Sequence, residues 1–132
     1  MPATEDEAVL ICAAIAGGTA YQGDNDLELA LTTTLPTAST AGAEVTGGNY
    51  ARVVVDMADW TADGVGGVFS TDPVTYPDLV SSDYNADVVA VEAYSTSDHT
   101  TRRWYIPLDS PVTKRIGDTP QFPAGELYLT VV

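Results

Sequence analysis

Few residues in this chain could do chemistry. The lone histidine, His99, follows Asp98 in "STSDHTT", with Ser95 and Ser97 just before it. Hydroxyl, imidazole and carboxylate are the parts of a nucleophilic triad, in which a base oriented by a carboxylate takes the nucleophile's proton. Neighbours on one short loop do not reach that geometry, so the stretch reads as a hairpin tip and the chain as a non-enzyme. Cys12, the single cysteine, excludes an internal disulfide. It lies in an apolar run with no histidine near it, and reads as a small buried hydrophobe. "DNDLE" sets Asp24, Asp26 and Glu28 at alternate positions, as a calcium loop begins, but the glycine and closing glutamate do not follow at the required offsets. No Cys/His cluster suits zinc, and "DGVGG" lacks the lysine of a phosphate-binding loop. The expectation is no catalytic residue, no cofactor and no metal.

Charge narrows the partners. The chain has 19 acidic and 5 basic residues, a formal net charge of −14 and a pI near 4.1. Nucleic acid is excluded as a direct partner, because affinity there comes from neutralising phosphates. Anionic membrane surfaces are excluded for the same reason. The apolar stretch "AVLICAAIAGG" is too short to span a bilayer and follows acids rather than bases. Most acids are aspartate and Lys114 is the only lysine, a balance that suits very salty water. A halophilic source and a GC-rich genome both account for it.

Against that background one arginine stands out. Arg52 lies in "GGNYARVVVD", residues 47–56, between Tyr50 and the Val53–Val55 run of an expected strand. In one reading its stem packs on Tyr50 and Val54 while its head pairs with a carboxylate. In the other it anchors the Gly47-Gly48 turn through hydrogen bonds to backbone carbonyls. Either makes it an architectural pin. The remaining bases, Arg102, Arg103, Lys114 and Arg115, fall in the second half and suit acidic patches on a neighbouring copy.

The elements that must position these residues read as mainly β. At 132 residues the chain is expected to form one domain, residues 1–132. A single short helix is predicted over about 4–16, with Thr4 and Glu7 as a capping box and Gly17-Gly18 as the stop. From about residue 26 the period changes to two. "LELALTT" puts Leu27, Leu29 and Leu31 on one face and Glu28, Ala30 and Thr32 on the other. "YARVVVDM", "DVVAVEAY", "RWYIPL" and "ELYLTVV" follow, separated by turn clusters. Pro107 inside a strand marks an edge or a bend. Short strands at this spacing predict an antiparallel β-sandwich, jelly-roll-like, or a small barrel. Seven tyrosines and two tryptophans on such a scaffold suit contact surfaces, with Trp60 and Trp104 read either as core or as contact residues.

A set of motifs runs through most of the chain: "EVTGGNYARV" at 44–53, Trp60, "LDSPVTKRIGD" at 108–118 and "FPAGELYL" at 122–129. In type and order it resembles small structural proteins of tailed viruses. One departure is the hairpin after "VAVEAY", where such proteins carry Gly-Gly and this chain has "SDHTTRR". The resemblance implies a non-enzymatic virion component, assembled in the host cytoplasm. Its expected partners are other copies of itself and major capsid or tail proteins. A head decoration or cement role is the first expectation, because no fibre-like repeat is present. A minor tail, collar or fibre-associated role is the alternative, followed by a carbohydrate-binding module. The residues expected to pin the fold or an interface are Tyr50, Arg52, Trp60, Trp104, Gly117 and Asp118.

Overall fold

A computed structural model describes residues 26–56, 60–62 and 67–130. The helix expected over 4–16, Cys12 and Asp24 lie outside the described residues. Within them the chain is mainly β, with antiparallel sheets and no helix. The strands are β1 (Asp26–Thr32), β2 (Val53–Asp56), β3 (Trp60–Ala62), β4 (Gly67–Ser70), β5 (Val74–Thr75), β6 (Val88–Ser95), β7 (Arg102–Val112), β8 (Gln121–Phe122) and β9 (Tyr128–Thr130).

The main sheet has four strands in the order β2-β1-β6-β7. Leu27 and Leu29 of β1 stand opposite Val55 and Val53 on one side, and opposite Ser95 and Ala93 on the other. In β7, Trp104 and Ile106 continue the row opposite Ala93 and Val91. Opposed residues share a face, so the period-two pattern of each strand builds one apolar surface. That surface packs against Val74, Tyr76, Leu79, Tyr84, Phe122 and Leu127 from outside the main sheet. Leu29, Leu31, Val91 and Leu127 are at most 1% exposed, and burying each such side chain contributes about 2 kcal/mol. Two smaller sheets, β3-β4-β9 and the β5-β8 pair, complete the layers.

The second face of the main sheet departs from the expected pattern. Alternation predicts Ala30, Thr32 and Glu92 on a wet face, yet all three are 0% exposed. The cause is the segment after β1. Residues 33–43 fold back over this face, with Thr33 N–H donating to the Ala43 carbonyl at 2.8 Å and Val45 N–H donating to the Leu31 carbonyl at 2.9 Å. The chain thereby covers what the strand pattern leaves open.

Pro107 occupies both places that a strand proline can take. β7 is an edge strand, and the register jumps from Ala90↔Pro107 to Val88↔Val112. A bulge of this kind bends the strand where a missing N–H costs no ladder bond.

Candidate functional site

The site is a polar network on the covered face. Arg52 sits one residue before β2, outside the ladder that begins at Leu29↔Val53. Its head therefore turns to the Glu28 face, not the core. Nε donates to Glu44 Oε2 and Nη2 to Glu44 Oε1, both at 3.0 Å. Nη1 donates to Glu28 Oε2 at 3.2 Å and to the His99 carbonyl at 2.8 Å. The guanidinium lies 4.1 Å from the centroid of the Tyr94 ring, within cation–π range. Tyr50 closes the node. Its hydroxyl donates to Glu44 Oε2 at 2.5 Å and accepts from Leu31 N–H at 3.0 Å.

The second sequence reading of Arg52 is corrected in part. Its head pairs with carboxylates, as the first reading has it, and also lies over the Tyr94 ring, which that reading did not name. It does bind a backbone carbonyl, but that of His99 and not one in the Gly47-Gly48 turn. The turn has its own supports. Gly47, Gly48 and Asn49 all take positive φ, and Gly48 N–H donates to Ser82 Oγ at 2.8 Å.

Electrostatics follow the geometry. Burial pushes the Glu44 carboxyl up, but hydrogen bonds from Arg52 and Tyr50 outweigh it and hold the carboxyl below its ordinary value. Burial, then the Glu44 carboxylate, push the Tyr50 phenol well up. Burial and Glu92 raise Tyr94 to about 12. None of these groups titrates near neutrality in a way that suits proton transfer.

A second arginine node adjoins the first. Arg102 Nη1 donates to Glu92 Oε2 at 2.8 Å, and both side chains are buried. Nη2 reaches the Thr37 carbonyl, and Gly42 N–H donates to Glu92 Oε2 at 3.3 Å. Tyr94 joins the nodes, since its hydroxyl donates to Glu92 Oε1 at 3.2 Å while Arg52 sits over its ring. Together the pairs clamp the 33–43 segment to the sheet. The expectation that Arg102 meets a neighbouring copy is therefore corrected: its charge is matched inside the subunit.

The other expected residues fall into two further places. Trp60 and Trp104 lie 5.7 Å apart, centroid to centroid, with Trp104 4% exposed. They face each other and the core, so neither forms an open platform. Gly117 and Asp118 are not among the groups that Arg52 bonds, and lie in a turn paired to Leu79. Gly117 N–H donates to the Leu79 carbonyl at 3.0 Å, and Asp118 Oδ2 accepts from Arg115 N–H at 2.8 Å.

His99 meets a carboxylate other than its neighbour. Its Nδ1 lies 2.5 Å from Glu28 Oε1, while Asp98 accepts from the Thr100 and Thr101 amides at 2.9 Å and shapes the hairpin tip. Ser95 and Ser97 bond to each other at 2.8 Å, not to the imidazole. Among the described residues no group of three His, Cys, Asp or Glu could hold a metal ion. The sequence reading did not single out Glu44, Glu92 and Tyr94, and weighed Glu28 only as part of a calcium-loop pattern. One signal was available: Glu28 and Glu92 stand mid-strand, opposite to the leucine and valine rows, in a chain with few bases to match them.

A family model described as "Podophage GP4 fiber I protein gp80" matches residues 5–130. No curated protein matches the chain.

Proposed function

We propose a fibre-associated role from one premise: the chain belongs to the podophage GP4 fiber I protein gp80 family. That family makes it a structural component of a phage virion. The finer reading is that this chain is a subunit of the fibre or of its attachment. The observation that carries it is the match over residues 5–130, nearly the whole chain. The network supports it physically. Arginine–carboxylate clamps and buried aromatics make a rigid scaffold. Its partners are other copies of the chain and neighbouring virion proteins. The head-decoration reading has no comparable support.

Antibody labelling of intact virions tests the position. Label confined to fibres or their attachment points is expected. Label spread over the head shell would restore the decoration reading.

A further inference from the structure

The register jump in β7 opens a groove that the arginine nodes do not use. Between Ala90↔Pro107 and Val88↔Val112 the strand places four residues, 108–111, against one on β6. Pro107 and Pro111 bracket this stretch, and neither can donate a ladder bond. The stretch bulges from the sheet edge, and a groove of about 460 Å³ lies between it and the segment from Phe122 to Tyr128. Small-molecule sites occupy about 300–1,000 Å³, so the volume is in range. A smaller recess of about 70 Å³ shares Leu108, Val112, Phe122 and Glu126 with the groove and adds Lys114.

The lining combines an aromatic ring with hydrogen-bonding groups. Tyr128 is 40% exposed. Asp109, Ser110 and Glu126 line the same groove and are exposed too. Neither the Asp109 nor the Glu126 carboxylate is taken up by a hydrogen bond or ion pair among the described residues. The wall that carries Glu126 and Tyr128 is fixed by backbone bonds. Glu126 N–H donates to the Pro123 carbonyl at 3.1 Å, and Gly125 N–H to the Ser70 carbonyl at 2.6 Å. Ser70 N–H donates to the Leu127 carbonyl at 3.1 Å, and Tyr128 stands opposite Phe69 in the β4–β9 ladder. Such a groove needs little ordering to accept a ligand.

We infer that this groove binds a neutral sugar unit. A pyranose has a face of C–H groups, which packs on the electron-rich face of an aromatic ring such as Tyr128. Its hydroxyls radiate at the rim, where they donate to Asp109 and Glu126 and exchange hydrogen bonds with Ser110. Charge and polarity exclude the other classes. An anionic ligand is opposed by both carboxylates and by the net charge of −14. A purely apolar ligand would bury the same carboxylates without partners. A neutral polyhydroxylated ligand satisfies ring and carboxylates together. The groove carries this site whether or not the chain sits on a fibre.

Amide chemical shifts of the nitrogen-15-labelled chain read the site directly. The probes are neutral trisaccharides of glucose, galactose, mannose or N-acetylglucosamine, each titrated to about 10 mM, with trilysine as a cationic control. At least one trisaccharide should shift the amides of Leu108, Asp109, Ser110, Glu126 and Tyr128 saturably. Tyr128→Ala should weaken that binding at least ~10-fold. Glu126→Ala, on the exposed turn, should weaken it by about 3–10-fold. An unchanged urea midpoint confirms that each variant folds. Shifts by no trisaccharide, shifts confined to other parts of the chain, or binding indifferent to both substitutions would overturn the inference. So would trilysine moving these amides where the sugars do not. Virion labelling tests the fibre position separately, so either idea can fail alone.

Discussion

Arg52 grips Glu44 through two parallel hydrogen bonds, Nε to Oε2 and Nη2 to Oε1, each 3.0 Å long. The fork geometry of a guanidinium matches the two carboxylate oxygens, and an ammonium cannot reproduce it. The residue of the "YARV" stretch is thus explained by its partners. It joins the edge of β2, the residue after the 33–43 segment, and the β6–β7 hairpin in one node.

Replacing Arg52 with leucine should leave Glu44 and Glu28 half-buried without their cation. A loss of about 2–3 kcal/mol is expected in urea denaturation. Arg52→Lys keeps the charge but loses the fork, and should cost about 1–2 kcal/mol. A leucine variant as stable as the parent would show that the node is ornamental.

Acid should weaken the same node. The Glu44 carboxyl is held below 4.5 in the folded chain, so it contributes stability fully above its unfolded value. That contribution is lost as pH falls through the folded value. The urea midpoint should therefore drop as pH goes below about 4.5. Glu44→Gln should start lower at neutral pH and descend less steeply; parallel curves for the two proteins would contradict the assignment.

The Arg102–Glu92 pair makes a sharper test, because it is buried. Arg102→Met strands a carboxylate that is 0% exposed, at an expected cost of about 3–5 kcal/mol. Adding Glu92→Gln should recover part of that loss. Hydrogen exchange at the Gly42 amide, which donates to Glu92, should speed up in both variants. Unchanged exchange there would mean that the pair does not hold the 33–43 segment.

Two glycines with positive φ should respond differently to alanine. A Cβ on Gly48 would lie 2.8 Å from Leu79 Cγ and 2.9 Å from Tyr84 Cδ1, whereas one on Gly117 would meet nothing within 4 Å. Gly117→Ala should cost only the left-handed backbone term, about 1 kcal/mol. Gly48→Ala adds a clash in the core and should cost about 2–4 kcal/mol. Equal thermal midpoints would refute the packing argument.

The core face was readable in advance. Leu27, Leu29 and Leu31 alternate in the sequence, and the ladder sets them opposite Val55, Val53, Ala93 and Val91 as that period requires. The hairpin tip at "STSDHTT" was readable too, because Asp98 and the short polar residues after it close a turn locally. The burial of Ala30, Thr32 and Glu92 was not. A strand pattern assigns side chains to faces but carries no information about what crosses a face.

The polar site divides in the same way. The sequence by itself determined a mainly β chain, a strongly acidic balance, and a shortage of bases that makes each arginine consequential. Only the tertiary structure decided which carboxylates those arginines take. Arg52 reaches Glu44 eight residues away, Glu28 at a separation of 24 and the His99 carbonyl at 47. Such contacts are fixed by strand order and by the fold-back of residues 33–43. Among so many acids, composition offers every arginine several possible partners, and only proximity in the folded chain selects between them.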